Sequence, residues 1–205
     1  MDDALQAGVA IYNAGHYHAA HDAWEDHWLD LDAGTTDERF LHGLIQFTAA
    51  VYHARERNWS GATGLAESGV TYLADLPADY RGVAVDRVRG YLRALRDDPE
   101  RIERGRPLRL TYEGRTLSPG DLDFGAAAVA ARVLAAEFDR YDETVLDRGV
   151  EFAREELDEG TSSQFIALVM DFVADAERRD LIYQRLQEHV KRRERRERDV
   201  DDLFD

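Results

Sequence analysis

Histidines, which can serve acid–base and metal chemistry, are concentrated near the start of the chain: six of the seven lie within the first 53 residues. Two predicted helices carry them at helical spacing, so polar side chains recur on single faces. The second predicted helix of the chain presents His21, Asp22, Glu25 and Trp28, and the third presents His42, Gln46 and His53. Buried imidazoles and carboxylates must find partners, and such groups often mark functional sites. If the faces meet, we expect a polar cluster between the second and third helices.

One interpretation of this cluster is a hydrogen-bonded network that fixes how the helices pack. In that network Glu25 accepts a hydrogen bond from the Trp28 indole or from a histidine, while Gln46 bridges the helices. Buried polar groups need such partners whatever their function. We therefore favour this structural interpretation over a catalytic one.

A metal site and an acid–base site are the alternatives. Helical bundles build metal sites from imidazoles and carboxylates on facing helices, so His21, Glu25 and His53 could hold a divalent metal. The di-iron signature Glu-x-x-His is not met, because Trp28 stands three residues after Glu25. An acid–base site would use His21 or His53 as the base, with Glu25 orienting it. The sequence offers no recognisable nucleophile or oxyanion element for such a site.

The chain is strongly acidic, with 42 acidic residues against 26 basic ones and a net charge of −16. Lys191 is the single lysine, so arginine supplies 25 of the basic residues. A composition with many carboxylates and almost no lysine resembles that of proteins from salt-accumulating halophiles. Molar salt there shortens the electrostatic screening length to about 3 Å. The same charge argues against nonspecific binding of nucleic acid or of anionic membranes.

The chain has no cysteine, which excludes disulfides and thiolate metal sites. Its first residues lack the basic and apolar regions of a signal peptide. No run of about 18 apolar residues predicts a membrane span. We therefore expect a soluble, cytoplasmic protein.

Apolar residues at three- and four-residue spacing predict a mainly helical chain. The pattern breaks at residues 105–121, where glycines and prolines surround the alternating run LRLTYEGRTL. This run predicts one small hairpin across Glu113-Gly114. We expect a helical bundle over residues 1–105, a connector over 106–120 and a helical region of unknown role over 121–205.

The carboxy-terminal region predicts a long helical tract from about Ser162, bent near Asp180. The basic run at residues 191–198 ends this tract and is interrupted by Glu194 and Glu197. Arginines near a helix C-terminus complement the helix dipole and pair with carboxylates one turn away. The run therefore indicates a solvated helix end rather than a nucleic-acid interface.

Two stretches of the amino-terminal half resemble each other at an offset of 42 residues. The identical positions are Ala7 and Ala49, Val9 and Val51, Ala20 and Ala62, Glu25 and Glu67, and Leu31 and Leu73. Tyr17 meets another aromatic residue, Trp59. Small residues here also resemble the spacing of a tetratricopeptide hairpin. Two paired antiparallel hairpins would explain the pattern, and so would chance in an alanine-rich chain.

The amino-terminal sequence also resembles a known helical family. The run YNAGHYHAAHDAWEDHW is followed by FLHGLIQFTAAVYH and RNWSGA, and the matching residues at fixed spacing are His21, Glu25, Trp28 and Gln46. These motifs resemble domain of unknown function 309 (DUF309) over about residues 5–110. Asp22 is a departure, since many members carry glutamate there. The resemblance implies an all-helical bundle and no established activity.

Together these features predict an all-α protein with a non-catalytic role, as a binding or protein-interaction module for an unidentified protein or small ligand. The alternative is a metal-dependent, hydrolase-like enzyme that uses His21, Glu25 and His53. Metal analysis of protein purified without a histidine tag would separate the two, because stoichiometric zinc, iron, manganese or nickel favours the enzyme. The oligomeric state is left open.

Overall fold

The computed structural model of the chain describes residues 1–160 and 164–201, with side chains described up to Asp199. The all-α prediction is confirmed, since these residues form ten α-helices and no β-strand. The chain divides into two compact units, Met1–Asp121 and Leu122–Asp205. Within the described ranges no helix combines the length and the apolar character that crossing a membrane requires.

The helices of the first unit are α1 (Asp2–Asn13), α2 (Tyr17–Leu29), α3 (Thr36–Arg55), α4 (Trp59–Leu73), α5 (Val85–Asp97) and α6 (Arg101–Arg104). Short loops join α1 to α2 and α3 to α4, so each pair forms an antiparallel hairpin. α3 packs against both α2 and α4 and is the central helix. α2 and α4 begin at Tyr17 and Trp59, the aromatic pair of the sequence repeat. The two hairpins therefore coincide with the repeated stretches.

α3 begins where its sequence provides a cap. The Thr35 hydroxyl accepts a hydrogen bond from the backbone N–H of Glu38 at 3.3 Å. Asp37 and Glu38 also place negative charge in the first turn, where it complements the helix dipole. The buried residues that α3 contributes to the core include Phe40, Leu41, Leu44, Phe47 and Val51.

Two glycines allow helices of the first unit to approach closely. Gly8 of α1 faces the buried ring of Trp24 on α2, which occupies the space that a Cβ at residue 8 would need. Gly43 of α3 faces the buried side chain of Leu73 on α4 in the same way. Because protein interiors are close-packed, a methyl group at either position would push the helices apart.

A buried arginine of α5 holds the end of α4. Arg89 is 9% exposed, and its Nη1 donates to the carbonyl oxygens of Leu73, Ala74 and Leu76 at 2.9, 3.0 and 2.9 Å. A helix leaves its last carbonyls without partners inside the helix. Nη2 of the same guanidinium donates to the Asp86 carboxylate at 3.0 Å, and this negative charge compensates the positive charge of Arg89. The C-terminus of α4 is therefore tied to α5.

Residues 105–121 belong to the first unit and contain a tight turn. Tyr112 and Arg115 exchange two backbone hydrogen bonds at 2.8 and 2.9 Å. Glu113 and Gly114 between them have φ angles of 49° and 74°, the left-handed conformation that such two-residue turns require. The predicted turn is present, but its pairings are isolated bridges and do not extend into strands.

The helices of the second unit are α7 (Phe124–Glu137), α8 (Glu143–Asp158), α9 (Gln164–Ala174) and α10 (Arg179–Asp201). Aspartates cap the first two: Asp123 accepts from the backbone N–H of Ala126 at 3.0 Å, and Asp142 from that of Thr144 at 2.9 Å. These bonds satisfy donors that a helix start leaves unpaired. The aromatic residues buried in this unit's core include Phe152, Phe165 and Phe172.

The single bent tract predicted for the carboxy-terminal region is wrong, because α9 and α10 are separate helices. Asp175 follows the end of α9, and its carboxylate accepts from the backbone N–H of Arg178 at 3.0 Å. That bond favours a new helix start over continuation. The predicted beginning of the tract at Ser162 lies outside the described residues.

Candidate functional site

Half-exposed residues form parallel stripes on three neighbouring helices of the first unit. After the first turn of α3, its half-exposed residues are His42, Gln46, Ala49 and His53, which form a stripe one residue wide. Half-exposed residues also line α2 at His21, Glu25 and Trp28, and α4 at Gly61, Leu65, Ser68 and Tyr72. We call these residues the three-helix face. Since α3 packs against both α2 and α4, its stripe is the middle one of the three.

A stack of rings joins the three helices at one end of the face. The ring centroids of Trp28 and His42 lie 4.5 Å apart, and His42 stacks on Tyr72 with a centroid distance of 3.7 Å. His42 is thus held between an aromatic ring of α2 and one of α4. Trp28 and His42, from the two polar faces identified in the sequence, are in contact.

The Glu38 carboxylate contacts two of the three stacked residues, Trp28 and His42. Glu38 Oε1 accepts from Trp28 Nε1 at 3.0 Å and lies 3.3 Å from His42 Nδ1, while Oε2 accepts from the backbone N–H of Gly34 at 3.2 Å. The Glu38 side chain is 14% exposed. The bond from Trp28 lowers the pKa of Glu38 below its ordinary value, with smaller contributions from Gly34 and His42, against the opposing effect of burial.

The sequence interpretation gave Glu25 either the Trp28 indole or a histidine as its partner. In the structure the Trp28 indole donates to Glu38, and Glu25 lies beside His21. Glu38 was missed because it precedes the apolar pattern of α3. Two signals point to it: it stands three residues after Thr35, the spacing of a capping box, and four before His42, one helical turn. The cluster that the sequence predicts thus includes a residue from the first turn of α3.

A second polar group lies on α2. His21 Nε2 is 3.4 Å from Glu25 Oε1, and the side chains are 28% and 44% exposed. Ligand atoms of His21, Asp22 and Glu25 all lie within 4.8 Å of one another. One imidazole and two carboxylates at this separation could share a divalent cation. Glu25 faces solvent substantially, so it is not the deeply buried group that the network interpretation expected.

His53 supports the start of α4. Its Nδ1 lies 2.8 Å from Asn58 Nδ2, and Asn58 Oδ1 accepts from the backbone N–H of Gly61 at 3.0 Å. An amide nitrogen can only donate, so His53 Nδ1 accepts and the proton of the neutral ring sits on Nε2. The imidazole thereby fixes the orientation of the residue that caps α4.

Gln46 occupies the middle of the α3 stripe, one turn after His42. Its Cβ packs beside Gly69 of α4, where an added methyl carbon would come within 3.3 Å. The side chain is half-exposed, and its amide makes no hydrogen bond to the residues that the structure describes. The amide is therefore available to a ligand on the face.

The polar contacts of the face fall into three groups, which lie at Glu25, at Glu38 and at Asn58. His21 belongs to the first group, Trp28 and His42 to the second, and His53 to the third. That His21, Glu25, Gln46 and His53 approach one another in the fold stays a prediction.

Comparison with known families identifies part of this unit. Residues 5–65 match the family described as domain of unknown function (DUF309). The resemblance predicted from the sequence is confirmed over these residues, which extend from α1 into the first half of α4. No curated protein shows significant similarity to the chain.

Proposed function

We propose that the DUF309 segment, with the rest of α4, provides a non-catalytic binding site on the three-helix face for a segment of a partner protein. The observation that carries the proposal is the unused Gln46 amide at the centre of three aligned stripes. A side-chain amide offers the same donor and acceptor groups as a peptide bond, so it can pair with an extended backbone.

The shape of the face suits a polypeptide. Ala49 has a small side chain, which leaves room for a chain to lie close to the backbone of α3. Leu65 and the edge of Tyr72 add apolar surface along α4. Aromatic residues next to small ones provide the anchoring surface that protein interfaces use.

The charge of the face favours a basic segment. Glu25 and Asp22 are 44% and 38% exposed on the α2 side, and no arginine or lysine belongs to the three stripes. Opposite charge on a ligand would steer it to this side and set its direction. We therefore expect the bound segment to carry lysine or arginine near Glu25.

Two groups on or beside the face with acid–base capacity, Glu38 and His53, have structural partners, which supports binding over catalysis at these positions. Glu38 holds Trp28 and Gly34, and His53 holds the cap of α4 through Asn58. A general base must be able to reach a substrate proton. Using either group in that way would release a bond that the fold depends on.

Peptide selection followed by affinity measurement tests the proposal. Peptides are selected from a random library on the full chain, and their binding is measured by fluorescence anisotropy at fixed potassium chloride. We expect selected peptides to be enriched in lysine or arginine. We expect Gln46→Ala and Glu25→Gln each to weaken binding roughly fivefold or more, as for loss of a polar interface contact.

Asp26→Asn is the matched control, because Asp26 is the exposed neighbour of Glu25 on the same helix and lies outside the face. It removes the same charge without changing the stripes. Equal weakening by Asp26→Asn and Glu25→Gln would indicate nonspecific attraction and contradict the proposal. Binding unaffected by Gln46→Ala would also contradict it.

A metal-dependent, hydrolase-like enzyme is the second candidate, and the His21, Asp22 and Glu25 cluster favours it. One nitrogen and two oxygen ligands suit zinc or manganese, which would activate a water molecule for hydrolysis. Metal analysis of protein purified without a histidine tag, and titration with zinc and manganese chloride, test this candidate. Stoichiometric metal that is lost in His21→Ala supports the enzyme, and failure of the wild type to bind either ion excludes it.

A further inference from the structure

The second unit contains a cavity of about 380 Å³ with a basic lining. Its lining residues come from α8, α9 and α10: Glu156, Gln164, Phe165, His189, Arg192, Arg193 and Arg196. The volume lies within the range of small-molecule sites, roughly 300–1,000 Å³. Three arginines around one cavity contrast with a chain whose net charge is −16.

The cationic lining comes from one face of α10. His189, Arg192 and Arg196 are spaced i, i+3 and i+7, so their side chains leave the helix in the same direction. His189 is half-buried, with its ring centroid 6.1 Å from that of the buried Phe165. The helix therefore presents two flexible cations and an anchored imidazole to the same space.

The arginines of this cavity differ in how their charge is compensated. Arg193 faces three carboxylates: its guanidinium nitrogens lie 3.6 Å from Glu155, 3.8 Å from Glu156 and 3.0 Å from Glu197. Arg192 and Arg196 form no ion pair with any side chain that the structure describes. Arg193 is thus committed to holding α10 against α8, while the other two keep uncompensated charge beside the cavity.

We propose that this cavity binds the phosphate group of a small phosphorylated molecule through Arg192 and Arg196, with His189 and Gln164 as further hydrogen-bond donors. Two uncompensated guanidinium groups match the double charge of a phosphate ester, and their planar donor pairs fit its oxygens. A carboxylate would neutralise only one of them. The volume exceeds that of a phosphate ion and leaves room for the organic part of the ligand.

Thermal melting and calorimetric titration of the full chain with sodium pyrophosphate test the proposal, with pH and ionic strength held constant. We expect pyrophosphate to raise the melting temperature and to bind with one site per chain. The double variant Arg192→Gln, Arg196→Gln should weaken this binding roughly tenfold or more, since each charged hydrogen bond to phosphate is strong.

The matched control is Lys191→Gln, Arg195→Gln, which removes the same charge from the same helix at exposed positions that do not line the cavity. It should bind pyrophosphate like the wild type. Equal weakening in both double variants, or acetate binding as tightly as pyrophosphate, would overturn the proposal. So would an absence of binding at millimolar pyrophosphate. A further contrary result is that a single-stranded oligonucleotide binds more tightly than pyrophosphate and that the control variant also loses this binding. This result would indicate a nucleic-acid surface and would also overturn the proposal.

Discussion

The Trp28 indole donates to the Glu38 carboxylate across the loop between α2 and α3, at 3.0 Å. The same carboxylate reaches Gly34 within that loop and His42 one turn further along α3. Glu38 therefore links the end of α2, the loop and α3, and it fixes the position of the ring stack on the three-helix face. Its removal should affect both folding and the geometry of the face.

Glu38→Gln should destabilise the first unit, whereas Glu25→Gln should not. Glu38 is 14% exposed and receives several hydrogen bonds, so its replacement should lower the free energy of unfolding by about 1–3 kcal/mol. Glu25 is 44% exposed and pairs only with His21 among the residues described, so its loss should cost at most about 1 kcal/mol. Urea denaturation of both variants checks this. Equal stability of the two would contradict the role assigned to Glu38.

The stability that Glu38 contributes should depend on pH in the acid range. Its pKa is lower in the folded chain than in the unfolded chain, so the folded state favours the ionised carboxylate. The contribution is full above the unfolded pKa of about 4.3 and is lost as pH falls through the folded pKa. Denaturation of the wild type and Glu38→Gln between pH 3 and 7 should therefore show a stability gap that narrows as the solution becomes more acidic.

Gly43→Ala and Gly64→Ala should change stability in opposite directions. A Cβ at residue 43 would overlap the Leu73 side chain, so the first variant should lose about 1–3 kcal/mol. Gly64 is exposed in the interior of α4 with nothing within 4 Å, so alanine there should add about 0.5–1 kcal/mol through its higher helix propensity. Thermal melts of both variants test the packing of α3 on α4. A stable Gly43→Ala variant would contradict the close approach.

Stability should rise with salt from low to molar potassium chloride. Screening weakens repulsion among the excess carboxylates, which is the basis of the halophile interpretation. It also weakens surface ion pairs such as Arg39 with Asp75 and Arg57 with Glu103, at 3.1 and 2.7 Å, but such exposed pairs contribute little. A melting temperature that is constant or falls across this range would count against the halophile interpretation.

The helical architecture and the location of the polar cluster follow from sequence spacing, because helical periodicity determines which side chains share a face. The partners within the cluster do not follow from it. Two glutamates, Glu25 and Glu38, lie near Trp28 in the sequence. Glu38 reaches the indole only because of how the α2–α3 loop folds. Contacts that depend on loop geometry have no periodic signal.

The break between α9 and α10 shows the same limit. Residues 175–178 contain neither glycine nor proline, the usual markers of a helix end. Asp175 ends one helix and assists the start of the next through a single backbone hydrogen bond. Aspartate also occurs on exposed helix faces, so its residue type alone does not distinguish the two roles.

The guanidinium of Arg89 should affect amide hydrogen exchange in the last turn of α4, which carries part of the three-helix face. Arg89 binds the carbonyl of Leu73, the last residue of α4, and those of Ala74 and Leu76 just after the helix. Tyr72, the neighbour of Leu73, stacks on His42. When α5 opens locally, these carbonyls lose the guanidinium, and fewer hydrogen bonds then hold the last turn of α4 against fraying. Protection of the amides in that turn should therefore fall with protection in α5. The family match ends at residue 65, so the last turn of α4 on the three-helix face depends on a residue outside the matched segment.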